Sequence, residues 1–113
     1  MLTIYHNPRC SKSRETLSII KESGVDVNVV EYLNEIPTRE ELVNLLKKLN
    51  LSAQDIVRKG EPIYKGLYKG KDLSETEWIE AMSLHPKLIE RPIVVKGDEA
   101  ILGRPPQNVI KLI

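Results

Sequence analysis

The apolar positions at the start of the chain switch between strand-like and helix-like spacing. Residues 2–5 form a short apolar run that predicts a buried strand. A helix is predicted from about residue 13 to residue 23, because Leu17 and Ile20 share one face and Gly24 is a good terminating residue. The β-branched stretch Val27–Glu31 predicts a second strand. Such a strand–helix–strand unit favours two parallel strands joined by a right-handed crossover.

Helix-capping sequences dominate the middle of the chain. Thr38 and Glu41 form a capping box, which predicts the start of the clearest helix in the sequence. The apolar face of this helix is formed by Leu42, Leu45, Leu46 and Leu49. Ser52 and Asp55 form a weaker capping sequence, and we expect a short helix behind it that runs through Val57.

A third capping box follows a stretch without clear periodicity. Residues 60–72 are rich in Gly and Lys, and Tyr-Lys-Gly occurs at position 64 and again at position 68. Because a spacing of four residues is too short for a structural repeat, we predict a mobile surface loop here. Ser74 and Glu77 then cap a helix that must end before Pro86. Its apolar face is formed by Trp78, Ile79 and Met82.

The last part of the chain predicts a β-hairpin and a final helix. Residues 92–95 and 100–102 are apolar and flank the polar turn 96–99, as in an antiparallel hairpin. Pro105 and Pro106 can start a helix. We expect its core-facing side chains to be Val109, Ile110 and Leu112.

This order of elements predicts an α/β protein with a thioredoxin-like fold. We expect a mixed four-stranded sheet flanked by helices, in one domain that spans residues 1–113 and carries a helical insertion at about residues 38–90.

Composition and charge narrow the class of protein. The 113 residues are 41% hydrophobic and 29% charged, which is ordinary for a globular domain. The net charge of +1 gives no electrostatic reason to expect nucleic acid or a membrane as partner. The amino terminus lacks the features of a signal peptide, and a single cysteine cannot form a disulfide framework. We therefore expect a cytoplasmic protein, and a monomer.

The only cysteine lies at the predicted turn from the first strand into the first helix. Unpaired backbone N–H groups and the helix dipole stabilise an anion at such a position, and the thiolate is the reactive form of cysteine. The flanking residues Arg9, Lys12 and Arg14 are cationic, whereas helix starts normally prefer acidic residues. Such a departure indicates that a thiolate or a bound oxyanion occupies this end of the helix.

The neighbours of Cys10 exclude several kinds of thiol chemistry. Position 13 is Ser, so the resolving thiol of a Cys-x-x-Cys oxidoreductase is missing. Position 16 is Thr rather than the Arg of a Cys-x5-Arg phosphatase. One Cys and two His are too few for a metal site. If Cys10 turns over, an external thiol must release it through a mixed disulfide, and glutathione with a glutaredoxin is the obvious cytosolic choice.

Three arginines are candidates for binding an oxyanion. Arg58, Arg91 and Arg104 each stand where a predicted element starts or ends. A guanidinium grips tetrahedral oxyanions through two donors at once, which an ammonium does not. A cis peptide at Arg91–Pro92 would hold Arg91 beside the active-site turn.

Five blocks of sequence resemble the glutaredoxin-coupled arsenate reductases of the ArsC type, within the thioredoxin-like superfamily. The blocks are residues 4–14 (IYHNPRCSKSR), 37–42 (PTREEL), 58–62 (RKGEP), 85–95 (HPKLIERPIVV) and 103–105 (GRP). They occur in the order found in that family and are spread over nearly the whole chain, from residue 4 to residue 105.

The resemblance implies an oxidoreductase that reduces arsenate to arsenite. In that family a cysteine attacks arsenate to form a covalent thiol–arsenate adduct, glutathione enters as co-substrate, arsenite leaves, and glutaredoxin reduces the remaining mixed disulfide. By motif, Cys10 would be the nucleophile, and no bound cofactor is expected. The oxyanion would be bound by Arg58, Arg91 and Arg104, with Arg14 beside them.

The remaining roles and alternatives stay open at this point. The resemblance implies that His6 helps to lower the thiol pKa and that Ser13 supports the thiolate turn, but a structural histidine and a plain N-cap serine are equal alternatives. A regulatory protein similar to the Spx-type regulators is a second hypothesis. A thiol oxidoreductase acting on glutathione-linked substrates is a third.

Overall fold

The computed structural model describes residues 1–113. The chain divides into two compact units, each described here by itself. The first unit combines Met1–Glu35 with Arg91–Ile113, and the second is Ile36–Glu90. The second unit corresponds closely to the predicted helical insertion, while the prediction of a single domain stays a prediction.

The first unit contains a four-stranded mixed sheet in the order β2-β1-β3-β4. Its strands are β1 (Leu2–His6), β2 (Val27–Glu31), β3 (Ile93–Lys96) and β4 (Glu99–Leu102). The pair β1–β2 is parallel, with Leu2 opposite Val27, and β3 is antiparallel to both of its neighbours. The predicted parallel unit, the predicted hairpin and the mixed sheet are all confirmed.

Helix α1 (Ser11–Glu22) connects β1 to β2 and packs with the carboxyl-terminal segment Pro106–Leu112. Cys10 is the N-cap of α1, so this helix begins two residues before the predicted start. Gly24 follows the helix with a φ of 79°, the left-handed conformation that glycine adopts readily. The core of the unit contains Leu2, Ile4, Ile20, Val94, Val109 and Leu112.

The carboxyl-terminal segment differs from the prediction in two respects. Pro106–Leu112 is a 3-10 helix, in which side chains repeat every three residues. Val109 and Leu112 therefore lie on one face and are buried, whereas Ile110 is 59% exposed. The expectation that Ile110 faces the core is wrong, because Ile110 lies off the face that Val109 and Leu112 share.

The second unit contains α2 (Arg39–Leu49), a short 3-10 helix (Ala53–Ile56) and α3 (Glu75–Leu84). All three predicted capping boxes are present: Thr38 with Glu41, Ser52 with Asp55, and Ser74 with Glu77. In each, the acidic side chain also accepts a hydrogen bond from the backbone N–H of the cap residue.

The predicted loop at 60–72 contains a helical turn. Tyr64–Tyr68 forms a π-helical turn, and both tyrosine rings lie against Trp78, with ring centroids 6.2 and 5.8 Å from its centroid. Four residues separate the two tyrosines, which places them on one face of a helix. A spacing of four residues is too short for a structural repeat, but it is the spacing of side chains on one helical face.

None of the helices has the length and the apolar character that a membrane crossing requires.

Candidate active site

Cys10 occupies the junction between β1 and α1. Its backbone is extended, with φ −93° and ψ 121°, and the first turn of α1 contains no acidic residue. The side chain is partly exposed. The thiol therefore lies at the helix end where free N–H groups and the dipole favour a negative charge.

Asn7 folds the loop that presents the cysteine. Its carbonyl accepts a hydrogen bond from the backbone N–H of Cys10 at 3.0 Å, and its Oδ1 accepts one from the N–H of Arg9 at 3.0 Å. Its own N–H donates to the Ser13 hydroxyl at 3.1 Å. Three hydrogen-bonding groups of this buried residue are thus used to hold the loop.

The thiolate of Cys10 is stabilised by α1 and by one distant arginine. Burial alone would raise the pKa of Cys10, but the backbone N–H groups of Ser13 and Lys12 and the Arg91 guanidinium outweigh burial and lower the pKa. The effective cation is therefore Arg91, which sequence reasoning placed with the substrate. The side chains of Arg9 and Lys12 are exposed.

Arg91 is held between Cys10 and a buried tyrosine. Burial opposes its charge, yet its contacts with Tyr32 and with Cys10 raise the pKa of Arg91 further. Its buried Nε has no hydrogen-bond partner. Arg104 is exposed and donates from Nη1 to the Arg91 carbonyl oxygen at 3.2 Å. Both Arg91–Pro92 and Arg104–Pro105 are cis peptides.

His6 and Ser13 form a buried pair beneath the loop. The two residues are joined by a 2.6 Å hydrogen bond between His6 Nδ1 and Ser13 Oγ. Burial lowers the pKa of His6, and Lys21 and Arg14 add to this effect while Glu31 opposes it. The neutral imidazole then accepts a hydrogen bond from the Ser13 hydroxyl at Nδ1. With this assignment the hydroxyl oxygen can in turn accept the hydrogen bond from the backbone N–H of Asn7.

The structure excludes the N-cap alternative for Ser13 and shows which groups Ser13 and Arg14 contact. Ser13 is not the N-cap of the helix, since Cys10 holds that position. Its side chain binds His6 and Asn7, and its backbone N–H stabilises the thiolate. Arg14 is exposed and donates from Nη1 to the Pro8 carbonyl at 2.9 Å, so in this structure it braces the loop. The catalytic role of Ser13 and the substrate-binding role of Arg14 stay predictions.

Arg58 lies in the second unit. Its backbone N–H donates to the Leu88 carbonyl at 2.7 Å, and its guanidinium pairs with Glu90 at 3.0 Å and with Glu61 at 3.8 Å. The other six predicted site residues all lie in the first unit: His6, Cys10, Ser13, Arg14, Arg91 and Arg104. The proposed oxyanion-binding role of Arg58 stays a prediction.

Two cavities accompany these features. One of about 390 Å³ lies beside the cysteine loop and is lined by His6, Asn7, Pro8, Arg9, Glu31, Leu33 and Asn34. A shallow groove of about 520 Å³ in the second unit runs along α2 and α3 and is lined by none of the predicted site residues. No three His, Cys, Asp or Glu side chains lie close enough together to hold a metal ion.

Sequence reasoning missed Asn7 and Tyr32 as parts of the site. The Asn7-Pro8 dipeptide is a recognisable turn signal, so the role of Asn7 was accessible from sequence. Tyr32 follows β2 as one more apolar residue, and nothing local indicates that it contacts Arg91.

The fold and the site together define a class of protein. A parallel β-α-β unit carries the single cysteine at the start of its helix, and the arginine directly before an antiparallel hairpin contacts the thiol. This is a thioredoxin-like protein with a single thiol whose pKa is lowered. The chain belongs to the ArsC family, whose family model matches residues 5–112.

Relatives support this assignment along the full chain. The Escherichia coli protein named uncharacterized protein YfgD is 49% identical over 97% of this chain and 94% of its own length. An arsenate reductase of Haemophilus influenzae is 42% identical and covered to 97% in both chains. The solved structure of arsenate reductase from Vibrio cholerae has 45% identity and a TM-score of 0.95, with 99% of this chain and 97% of that one aligned.

Replacing Arg91 tests the electrostatic account of the thiol. In Arg91→Ala the guanidinium that opposes burial is lost, so we expect the pKa of Cys10 to rise. The pH dependence of iodoacetamide alkylation measures this pKa directly, because only the thiolate reacts. Arg9→Ala is the matched control, since Arg9 adjoins Cys10 in sequence but is exposed. Equal shifts in the two variants would contradict the assignment.

The buried His6 predicts a pH-dependent stability. As the pH falls through the ordinary histidine value of 6.5, the unfolded chain takes up a proton at His6 while the folded protein still resists it. The free energy of unfolding should therefore decrease below about this pH, and less so in His6→Gln. Urea unfolding at several pH values between 7.5 and 5.5 measures how steeply the free energy of unfolding changes with pH, with His85→Gln as control. An unchanged slope in His6→Gln would show that His6 is not the group responsible.

Proposed function

We propose that this protein is an oxidoreductase that reduces arsenate to arsenite through Cys10, with glutathione and glutaredoxin as the reducing partners. The observation that carries the proposal is the contact of Arg91 with a partly exposed Cys10 whose pKa is lowered. Support also comes from the ArsC family assignment and from relatives named arsenate reductase at 42% and 39% identity.

The first step joins sulfur to arsenic without a change in oxidation state. The Cys10 thiolate attacks the arsenic of arsenate, an S–As bond forms, and one oxygen leaves as water after protonation. Both the thiolate and the incoming oxyanion are negative, so the attack needs cationic donors beside the sulfur. Arg91 provides this charge, and a guanidinium can donate hydrogen bonds to an oxyanion.

The second step is the reduction. The glutathione thiolate attacks the Cys10 sulfur, an S–S bond forms, and the S–As electron pair passes to arsenic. Arsenic(V) becomes arsenic(III) and leaves as arsenite, while the two thiols are oxidised to a mixed disulfide. With one cysteine in 113 residues, the chain itself cannot supply this second thiol.

The third step restores the thiolate. A glutaredoxin thiolate attacks the glutathione sulfur of the mixed disulfide, and Cys10 leaves as the thiolate. A thiol with a lowered pKa is a good leaving group, so the groups that activate Cys10 for attack also speed its release. The partial exposure of Cys10 is consistent with access by a second protein.

The other predicted site residues fit supporting roles. His6 and Ser13 hold the loop through their buried hydrogen bond, and Arg104 anchors the Arg91 carbonyl. If Arg58 binds the oxyanion, its guanidinium must exchange one partner for another, because Nη1 already pairs with the Glu90 carboxylate at 3.0 Å. An oxyanion would have to compete with that carboxylate for the guanidinium.

Arsenite production by the purified protein tests the proposed reaction. With arsenate, glutathione and a glutaredoxin present, we expect continued turnover, and we expect it to stop when any one of the three is omitted. Cys10→Ser should abolish turnover while leaving the circular dichroism spectrum unchanged, and Ser11→Ala, which alters the adjacent exposed residue, should retain it.

Two results would count against the proposal. Turnover that persists in Cys10→Ser would remove Cys10 as nucleophile. If a folded protein with a low-pKa thiol forms no arsenite, arsenate is excluded as the substrate. The assignment of Cys10 as an activated thiol would be unaffected by that result.

A further inference from the structure

Three segments of the first unit approach one another unusually closely at Gly103. A Cβ built on this buried glycine would lie 2.6 Å from Pro92 Cγ, 2.7 Å from Thr16 Oγ1 and 3.1 Å from Thr16 Cγ2. Ordinary carbon contacts are about 3.5–4.0 Å, so only a residue without a side chain fits between the two neighbours.

Hydrogen bonds reinforce this approach. The N–H of Gly103 donates to the Pro92 carbonyl at 2.9 Å. The hydroxyl of Thr16, which is fully buried, lies 2.8 Å from the Lys12 carbonyl and 3.4 Å from the Gly103 carbonyl. One side chain of α1 thus contacts both its own first turn and the end of the hairpin.

Each of the three residues is connected to the thiol site. Thr16 is on α1, the helix whose N-cap is Cys10. Pro92 directly follows Arg91, and Gly103 directly precedes Arg104. Arg104 in turn donates to the Arg91 carbonyl at 3.2 Å. The junction therefore lies where the two arginine-bearing segments meet the cysteine-bearing helix.

We propose that the Thr16–Gly103–Pro92 junction is a positioning device that sets the separation of Arg91 from Cys10, with Gly103 and Thr16 as positioning residues. The proposal rests on Cys10 as the reactive thiol of the proposed function but on no particular substrate. Relieving contacts of 2.6 and 2.7 Å requires a displacement on the order of 1 Å, and an active site misplaced by that amount loses roughly 100-fold in rate.

Gly103→Ala, compared with Gly97→Ala, separates positioning from general destabilisation. Gly97 lies in the turn between β3 and β4, and Gly103 directly follows β4. Nothing lies within 4 Å of a Cβ at Gly97, whose φ of 58° makes alanine strained there. Both variants should unfold at lower urea concentration. Only Gly103→Ala should move the midpoint of Cys10 alkylation by iodoacetamide to higher pH, because only there does Arg91 separate from the thiol.

A second pair of variants keeps the test decisive if Gly103→Ala does not fold. Thr16→Val preserves the shape of the side chain and removes its hydroxyl, whereas Thr16→Ser retains the hydroxyl. We expect Thr16→Val to shift the alkylation midpoint upward by less than Gly103→Ala does, and Thr16→Ser to stay near the wild-type midpoint.

The proposal is overturned if Cys10 is alkylated with the same pH midpoint in Gly103→Ala and Gly97→Ala. It is also overturned if Thr16→Val and Thr16→Ser have the same alkylation midpoint. Alkylation needs neither arsenate nor glutathione, so its outcome is independent of the reaction proposed above. In an active enzyme, the KM for arsenate of Gly103→Ala should additionally rise by about tenfold, the effect of weakening one hydrogen bond to a charged group.

Discussion

The contact between the Cys10 thiol and the Arg91 guanidinium is the interaction on which the site depends. Burial alone would keep the thiol protonated, and the start of α1 contributes only partial charges from its N–H groups. Arg91 adds a full positive charge from a segment that is distant in sequence. The fold is what makes the contact: β3 pairs antiparallel with β1, so the start of β3 lies at the edge where β1 ends and the cysteine loop begins.

Holding that charge in place requires a rigid surrounding. Asn7 fixes the loop through three hydrogen bonds, and the neutral His6 accepts from Ser13 below it. A protonated histidine at this depth would add a second buried cation, which burial disfavours. The site is therefore built with one strong cation at the sulfur and neutral groups beneath it. In the proposed reaction, this arrangement suits a nucleophile that attacks an anion and later leaves as one.

The sequence predicted the local features well because their causes are local. Capping boxes, a hairpin turn and β-branched strands act over a few residues, and Cys10 at a helix start follows from the same signals. Contacts between distant segments were not accessible in this way. Arg91 was expected to bind an oxyanion beside the active-site turn, but its contact with the thiol itself was not predicted. Gly103 gave no sign of its close approach, and the 3-10 geometry of the last helix depends on packing.

A single-turnover experiment tests the central claim, that one activated thiol performs the chemistry and an external thiol completes it. The protein is mixed with arsenate and glutathione without glutaredoxin, quenched in acid, and examined by intact mass spectrometry and arsenite analysis. The account predicts one arsenite and one glutathione adduct per chain, with the adduct on Cys10, and then no further reaction. Repeated arsenite formation without an adduct, or adduct formation that does not require arsenate, would contradict it.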